Sequence, residues 1–292
     1  MTALRQRMIE DMQLRGLSSI TQERYVTAVR LLAEHYGKSP AQITEEELRQ
    51  YFLYLKNVKQ YSHSSSTVAL CAIKFLYEYT LKRTWPTLEL VRAPKEYKLP
   101  VVLSQEEVYR ILGCLRLPHY RASLSTIYSC GLRLREALRL QVSDIDSGRM
   151  VVHIHRGKGN RDRYVPLPQR TLELLRAYWV SHRHPVWLFP AQDRWGGLKP
   201  NATTPIAGRS VQRAFKAALT ESGIQKKATV HSLRHAWATH LLEAGVSLRL
   251  IQTYLGHTFL STTAIYTHLT ARTEGQVVEI LNKLTAGLSW SN

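Results

Sequence analysis

Apolar residues in the first third of the chain recur at helical spacing. Tyr25, Val29, Leu32, Ala33 and Tyr36 follow Ser18-Ser19 at steps of one helical face, and Gly37 offers a C′ residue that ends such a helix. Thr44 and Glu47 make a capping box ahead of Leu48, Tyr51, Phe52 and Leu55, which predicts a further helix. Ser64-Ser65-Ser66 opens an apolar stretch through Leu70, Ile73, Leu76 and Tyr77, rich enough for the central helix of a bundle. No strand pattern interrupts this region.

The periodicity then breaks. From Arg92 to Pro100 two prolines and several charges read as an extended linker. The expected organisation is a helical domain over residues 1–95, a linker over 96–104 and a larger domain over 105–292. A second capping box, Ser104 and Glu107, starts the larger domain with a helix. Within it, Val151 to His155 and Tyr164 to Leu167 look like strands joined through Gly157-Lys158-Gly159-Asn160, a hairpin with turn chemistry. The stretch from His182 to Pro205 reads as a loop. Val277, Leu281, Leu284 and Leu288 predict a C-terminal helix with one apolar face, which could pack on its own domain or on a neighbouring protomer. The fold class is therefore mainly α, with a small antiparallel hairpin or sheet in the second domain.

Composition narrows the partner. The chain has 292 residues, 44% hydrophobic and 21% charged, which excludes a disordered chain and a disulfide-stapled miniprotein. Lys and Arg number 40 against 22 Asp and Glu, a formal charge of +18, with +5 up to residue 95 and +13 beyond it. Such a chain seeks a polyanion, either nucleic acid or an anionic membrane surface. No run reaches the ~18 apolar residues of a spanning helix, and the N-terminal residues lack the apolar core of a signal peptide, so the expectation is a cytoplasmic protein without membrane attachment. Cys71, Cys114 and Cys130 form no CxxC pair and read as core thiols.

No dense Asp/Glu cluster suited to Mg²⁺ stands out, which leaves two-metal phosphodiester hydrolysis weakly supported. Metal-free cleavage of DNA requires a side-chain nucleophile, fixed cations on the phosphate and a proton donor for the leaving oxygen. Arg133, in Gly131-Leu132-Arg133-Leu134-Arg135-Glu136, enters a helix with Glu136 one turn on. It could donate two hydrogen bonds to a phosphate, or be a surface Arg in an i, i+3 ion pair. Lys158 lies between two glycines at the hairpin tip, where it could reach a DNA groove or simply be solvated. His231 and Arg234 are three apart on one helical face and could meet one phosphate. A zinc pair of His231 with His235 is the rival, although the Glu of HExxH is missing. Leu255-Gly256-His257 precedes Tyr266, whose phenol is either a nucleophile helped by nearby cations or a half-buried core tyrosine.

Taken in order, GLRxxE, the hairpin Lys, HxxR, LGH and a Tyr nine residues after that His resemble the tyrosine recombinases, or phage integrase family, from Gly131 to His268. The helical N-terminal region and linker are similar to that family's core-binding domain. The resemblance implies a DNA-clamping domain over 1–95 and a catalytic domain over 105–292. It makes Tyr266 the nucleophile of a 3′-phosphotyrosyl link, Arg133 and Arg234 the phosphate clamp, Lys158 the general acid, His231 a general acid/base, His257 a phosphate donor and Glu136 a supporting residue. Arg135 departs from the small polar residue common at its position.

The implied function is site-specific recombination, integrating or excising a mobile element with neither metal, ATP nor nucleotide cofactor. A phosphotyrosyl link retains the energy of the phosphodiester, so none is needed. The implied partners are double-stranded DNA and further copies of the chain, a tetramer on two synapsed sites with a monomer as the free form. A type IB topoisomerase would share the chemistry without a second duplex. A DNA-binding protein with silent chemistry would keep the scaffold, and a metal-dependent nuclease would stop in EDTA. With few residues ahead of the first clear helix, no arm-binding domain is expected.

Overall fold

Small polar residues set where the helices of the N-terminal unit begin. The computed structural model describes residues 2–91, 100–155, 162–193, 197 and 201–268. The chain divides into two units, Met1–Lys98 and Leu99–Asn292. In the first, α1 (Ala3–Leu14) is capped by Thr2 and α2 (Ser19–Tyr36) by Ser18, and α2 stops at Gly37 with φ 64°. The Thr44–Glu47 capping box starts α3 (Glu45–Asn57), its two hydrogen bonds measuring 2.8 and 3.3 Å. Ser62 caps α4 (His63–Phe75), which continues through a π-helical turn, Leu76–Thr80; α5 (Thr87–Leu90) is the last helix among the described residues of this unit.

The apolar faces of these helices meet in one core that includes Met8, Met12, Leu32, Leu48, Phe52, Ile73, Leu76 and Tyr77. Helix α1 escaped the periodicity reading because its buried stripe is narrow: Met8 and Met12 are buried, with only Leu4 and Ile9 packed beside them. Cys71 corrects another expectation. It is exposed and Cys114 partly so, and only Cys130 is a buried thiol.

The second unit is also mainly helical. The Ser104–Glu107 capping box begins α6 (Gln105–Gly113), and α7 (Pro118–Ser129), with Pro118 in its first turn, runs buried through the core on Ala122, Leu124 and Ile127. After α8 (Leu134–Leu138) comes an antiparallel sheet in the order β1 (Ile145–Asp146), β2 (Val151–Ile154), β3 (Arg163–Pro166). Val152 pairs with Val165 across β2 and β3 and with Ile145 across β1 and β2. The hairpin is as expected, whereas β1, two residues long, carries too little pattern to be read. Its turn, with Lys158, lies outside the described residues, as do the C-terminal positions Val277 to Leu288 and the linker residues 92–99.

Helices α9 (Gln169–Val180), α10 (Gly208–Glu221), α11 (Val230–Glu243), α12 (Leu248–Leu255) and α13 (Ser261–Ala264) follow among the described residues, and then a 3₁₀ turn, Ile265–His268. Between α9 and α10 the described residues are irregular, pinned by bridges of Trp187 to Gln141 and Pro190 to Pro205. The architecture is mainly α with one small antiparallel sheet.

Candidate active site

Cationic side chains from three parts of the second unit gather on Glu136. The approach to it depends on Gly131, whose φ is 60° and where a Cβ would come within 2.4 Å of the Trp237 ring. This turn delivers Arg133 to the start of α8. Glu136 Oε2 accepts the backbone N–H of Arg133 at 2.9 Å, and Oε1 accepts the Arg133 guanidinium at 2.7 Å. Arg163, on β3, donates two more bonds to the same carboxylate, at 2.7 and 3.2 Å. Arg234 Nη1, on α11, lies 3.7 Å from Oε2.

Three guanidiniums around one carboxylate leave a local excess of positive charge. Burial by itself would raise the Glu136 pKa, but hydrogen bonds and charge from Arg163, then Arg133, hold it at about 2. The three arginines are not equally open. The Arg133 side chain keeps 24% exposure, against 9% for Arg163 and 1% for Arg234.

Arg234 is built into the wall of the site. Its Nη1 donates to the Gly131 carbonyl at 2.7 Å and its Nη2 to the Leu255 carbonyl at 2.6 Å. Burial, then the charge of Arg133, lowers its pKa, yet a guanidinium stays charged at neutral pH. His231 shares its helix one turn away and is exposed. Desolvation of the ring, then the charges of Arg234 and Arg133, push the His231 pKa below its ordinary value, with Glu136 opposing.

His257 follows Gly256, the left-handed end of α12. Its Nε2 stands 3.3 Å from Arg234 Nη2 and its Nδ1 2.9 Å from Thr263 Oγ1. A guanidinium can only donate, so Nε2 accepts and the ring proton sits on Nδ1, directed at Thr263. Burial, then Arg234 and Arg133, push His257 down to about 4, so the ring is neutral at physiological pH.

Tyr266 is 1% exposed and its hydroxyl lies 2.9 Å from His235 Nδ1. Burial raises its pKa, while the charges of Arg234 and Arg133 pull the other way. His235 is itself pushed down to about 4, by burial first and then by His231 and Arg234. A neutral imidazole thus accepts the phenolic proton's hydrogen bond.

Arg133, Glu136, His231, Arg234, His257 and Tyr266 therefore share one neighbourhood; Lys158 lies outside the described residues. Arg135 is exposed on α8. Sequence reasoning missed two participants. Arg163 belongs to none of the motifs, though strand alternation carries a signal: Val165 is buried, and the residue two before it faces the same side. Arg163 also donates to the Tyr254 carbonyl at 2.7 Å. His235 entered only as a zinc rival, because nothing local reveals a partner so far along the chain.

Residues 102–273 match the model of the phage integrase family, and residues 4–87 that of the phage integrase N-terminal SAM-like domain. The protein y4qK of Sinorhizobium fredii, an integrase/recombinase by name, is 46% identical over 267 residues, 91% of this chain and 84% of its own. The tyrosine recombinase XerC of Chlamydia muridarum is 35% identical over 245 residues, 80% of this chain and 76% of its own. Among solved structures, a lambda integrase dimer bound to a COC′ core site superposes with a TM-score of 0.71 at 17% identity, covering 99% of this chain and 79% of that one.

Proposed function

Since the chain belongs to the phage integrase family and is a site-specific tyrosine recombinase, we propose that the cluster around Glu136 is where it cleaves and rejoins DNA, through Tyr266. The observation that carries this reading is the gathering of Arg133, Arg163 and Arg234 on one buried carboxylate, next to His231, His257 and Tyr266.

In this reading Arg133 and Arg234 stabilise the charge that develops on the non-bridging oxygens of the scissile phosphate. Glu136 positions them. The Tyr266 oxygen attacks phosphorus, the P–O5′ bond breaks, and the strand is held as a 3′-phosphotyrosyl ester while a 5′ hydroxyl departs. Lys158 supplies the proton to the leaving oxygen, His231 relays protons as a general acid/base, and His257 donates a hydrogen bond to the phosphate once Arg234 turns to the phosphate and the ring proton moves from Nδ1 to Nε2. Reversal by the 5′ hydroxyl of a second duplex completes strand exchange with neither ATP nor a metal.

Tyr266 must leave its contact with His235 before it can do this, because the hydroxyl is buried where the structure has it. The proposal extends to the whole chain. Residues 1–95 clamp double-stranded DNA as a core-binding domain and 105–292 carry the chemistry, with four copies assembling on two synapsed sites to integrate or excise a mobile element. The basic charge of both parts, +5 and +13, supports a clamp closing on a polyanion. No helix among the described residues is long and apolar enough to cross a membrane.

The test is a nicked suicide duplex made from the DNA flanking the gene, incubated in EDTA without ATP and denatured in SDS. The expected result is DNA covalently attached to wild-type protein through its 3′ end and none attached to Tyr266→Phe. An adduct of equal yield from Tyr266→Phe would overturn the assignment.

A further inference from the structure

Three metal-ligating side chains converge at the base of the β2–β3 hairpin. His153 lies on β2 and His155 is the residue just past its end, two positions on, and Asp162 stands where the chain enters β3. His153 Nε2 lies 3.3 Å and His155 Nδ1 3.5 Å from the same oxygen, Asp162 Oδ2, and the three donor atoms all fall within 4.8 Å of one another. Two donors held at ~2.0–2.1 Å from one tetrahedral ion stand about 3.4 Å apart, so the spacing to Asp162 is that of a coordination sphere.

A second carboxylate orients the set. His155 Nε2 is 2.8 Å from Asp144 Oδ1, and Asp144, whose side chain is 5% exposed, is itself fixed by the backbone N–H of Gln141 at 2.8 Å. A carboxylate behind an imidazole holds the ring proton on that side and leaves the other nitrogen a lone pair, the arrangement of a metal-bound histidine. That lone pair faces Asp162, as does Nε2 of His153. With its one ring proton directed from Nε2 at Asp144, the uncharged His155 ring has none left to offer Asp162. The two ring centroids are 3.9 Å apart, which brings both sets of ring nitrogens to one point. A single dication satisfies all three groups at once. His153 is further held by stacking on Tyr164 at 4.6 Å, and the ligands are open to solvent, with side-chain exposures of 26% for His153 and 51% for both His155 and Asp162.

We propose that His153, His155 and Asp162 bind a borderline transition-metal dication such as Zn²⁺, with Asp144 positioning His155. Two imidazoles and one carboxylate favour Zn²⁺, Ni²⁺ or Cu²⁺ over Mg²⁺ and Ca²⁺, which take oxygen ligands. The ion joins His155 to Asp162, the two residues that flank segment 156–161, and so ties the ends of that segment together. None of the ligands belongs to the strand-transfer set, and cleavage in EDTA remains the expectation.

The full-length chain, stripped with EDTA and dialysed, is titrated with Zn²⁺ against a chromophoric chelator and, separately, with Co²⁺ followed by visible absorption. One Zn²⁺ per chain is expected, unaffected by a large excess of Mg²⁺. Asp162→Asn and His153→Ala weaken it at least tenfold, and Asp144→Asn by about 10- to 100-fold through loss of the orienting bond. The His231→Ala/His235→Ala double variant keeps full affinity, which separates this site from the close histidine pair on α11. Asp162 is half exposed, so Asp162→Asn keeps the wild-type circular dichroism and thermal midpoint in EDTA. Absence of a bound equivalent in wild type, or loss of binding in the α11 double variant with retention in Asp162→Asn, would overturn the proposal.

Discussion

His235 and Tyr266 share a hydrogen bond of 2.9 Å across 31 residues of chain, with the tyrosine buried and the imidazole neutral at physiological pH. The nucleophile assigned above is therefore parked on a histidine rather than presented to solvent. Replacing His235 by Phe keeps a ring in place and removes the acceptor. One hydrogen bond contributes about 0.5–1.5 kcal/mol net, so release of Tyr266 is expected to speed the first covalent step about two- to tenfold. Single-turnover adduct formation on a nicked duplex measures it. A slower step would instead give His235 the part of the base that takes the phenolic proton.

Tyr266→Phe removes one oxygen from a buried ring and nothing else. DNA affinity in a mobility-shift titration is expected to stay within about twofold of wild type while covalent adduct disappears, since the proposed role of the hydroxyl is nucleophile and that of phosphate contact falls to other residues.

Glu136→Gln leaves three guanidiniums crowded together without their shared counter-charge. Breaking a buried ion pair from one side costs about 3–5 kcal/mol, which corresponds to a fall of roughly 10 °C in the thermal midpoint of a unit this size. Calorimetry of the full chain checks it, and a midpoint within a degree or two of wild type would mean that the cluster contributes nothing to stability. Arg163→Met, which removes two of the bonds to Glu136 from the other side, is expected to lower adduct yield although Arg163 takes no part in the assigned chemistry.

Acid should loosen the catalytic unit in two stages. His235 and His257 sit at about 4 in the folded chain against 6.5 in the unfolded one, so the unfolded state takes up protons first and stability is lost as pH falls from 6.5 towards 4. Glu136, at about 2 against 4.5, has the same sign, and its contribution, complete above pH 4.5, is lost between 4.5 and 2. Thermal midpoints measured from pH 7.5 down are expected to fall along both limbs. His119, held at about 4 by burial, adds to the upper limb, so the His235→Phe/His257→Gln double variant makes that limb shallower and leaves the lower one unchanged.

The parts of this protein that its sequence determines are those built from neighbours along the chain. Capping boxes at Thr44 and Ser104, the stop at Gly37 and the alternation of β2 each depend on groups within about four residues, so they can be read where they stand. The order of Arg133, Lys158, His231, Arg234, His257 and Tyr266 was legible in the same way, as a resemblance carried by short motifs. Where those side chains meet was not. Arg234 reaches the Gly131 carbonyl across 103 residues, Arg163 reaches Glu136 across 27, and the His155–Asp144 pair that orients the hairpin site spans 11. Such bonds exist only once α8, α11, α12 and the sheet have packed, because their geometry is set by burial in a common core and leaves no periodic trace in the chain. The sequence thus determined which groups are present and on which elements, and the tertiary structure alone decided that Glu136 gathers the arginines and that His235 holds the tyrosine.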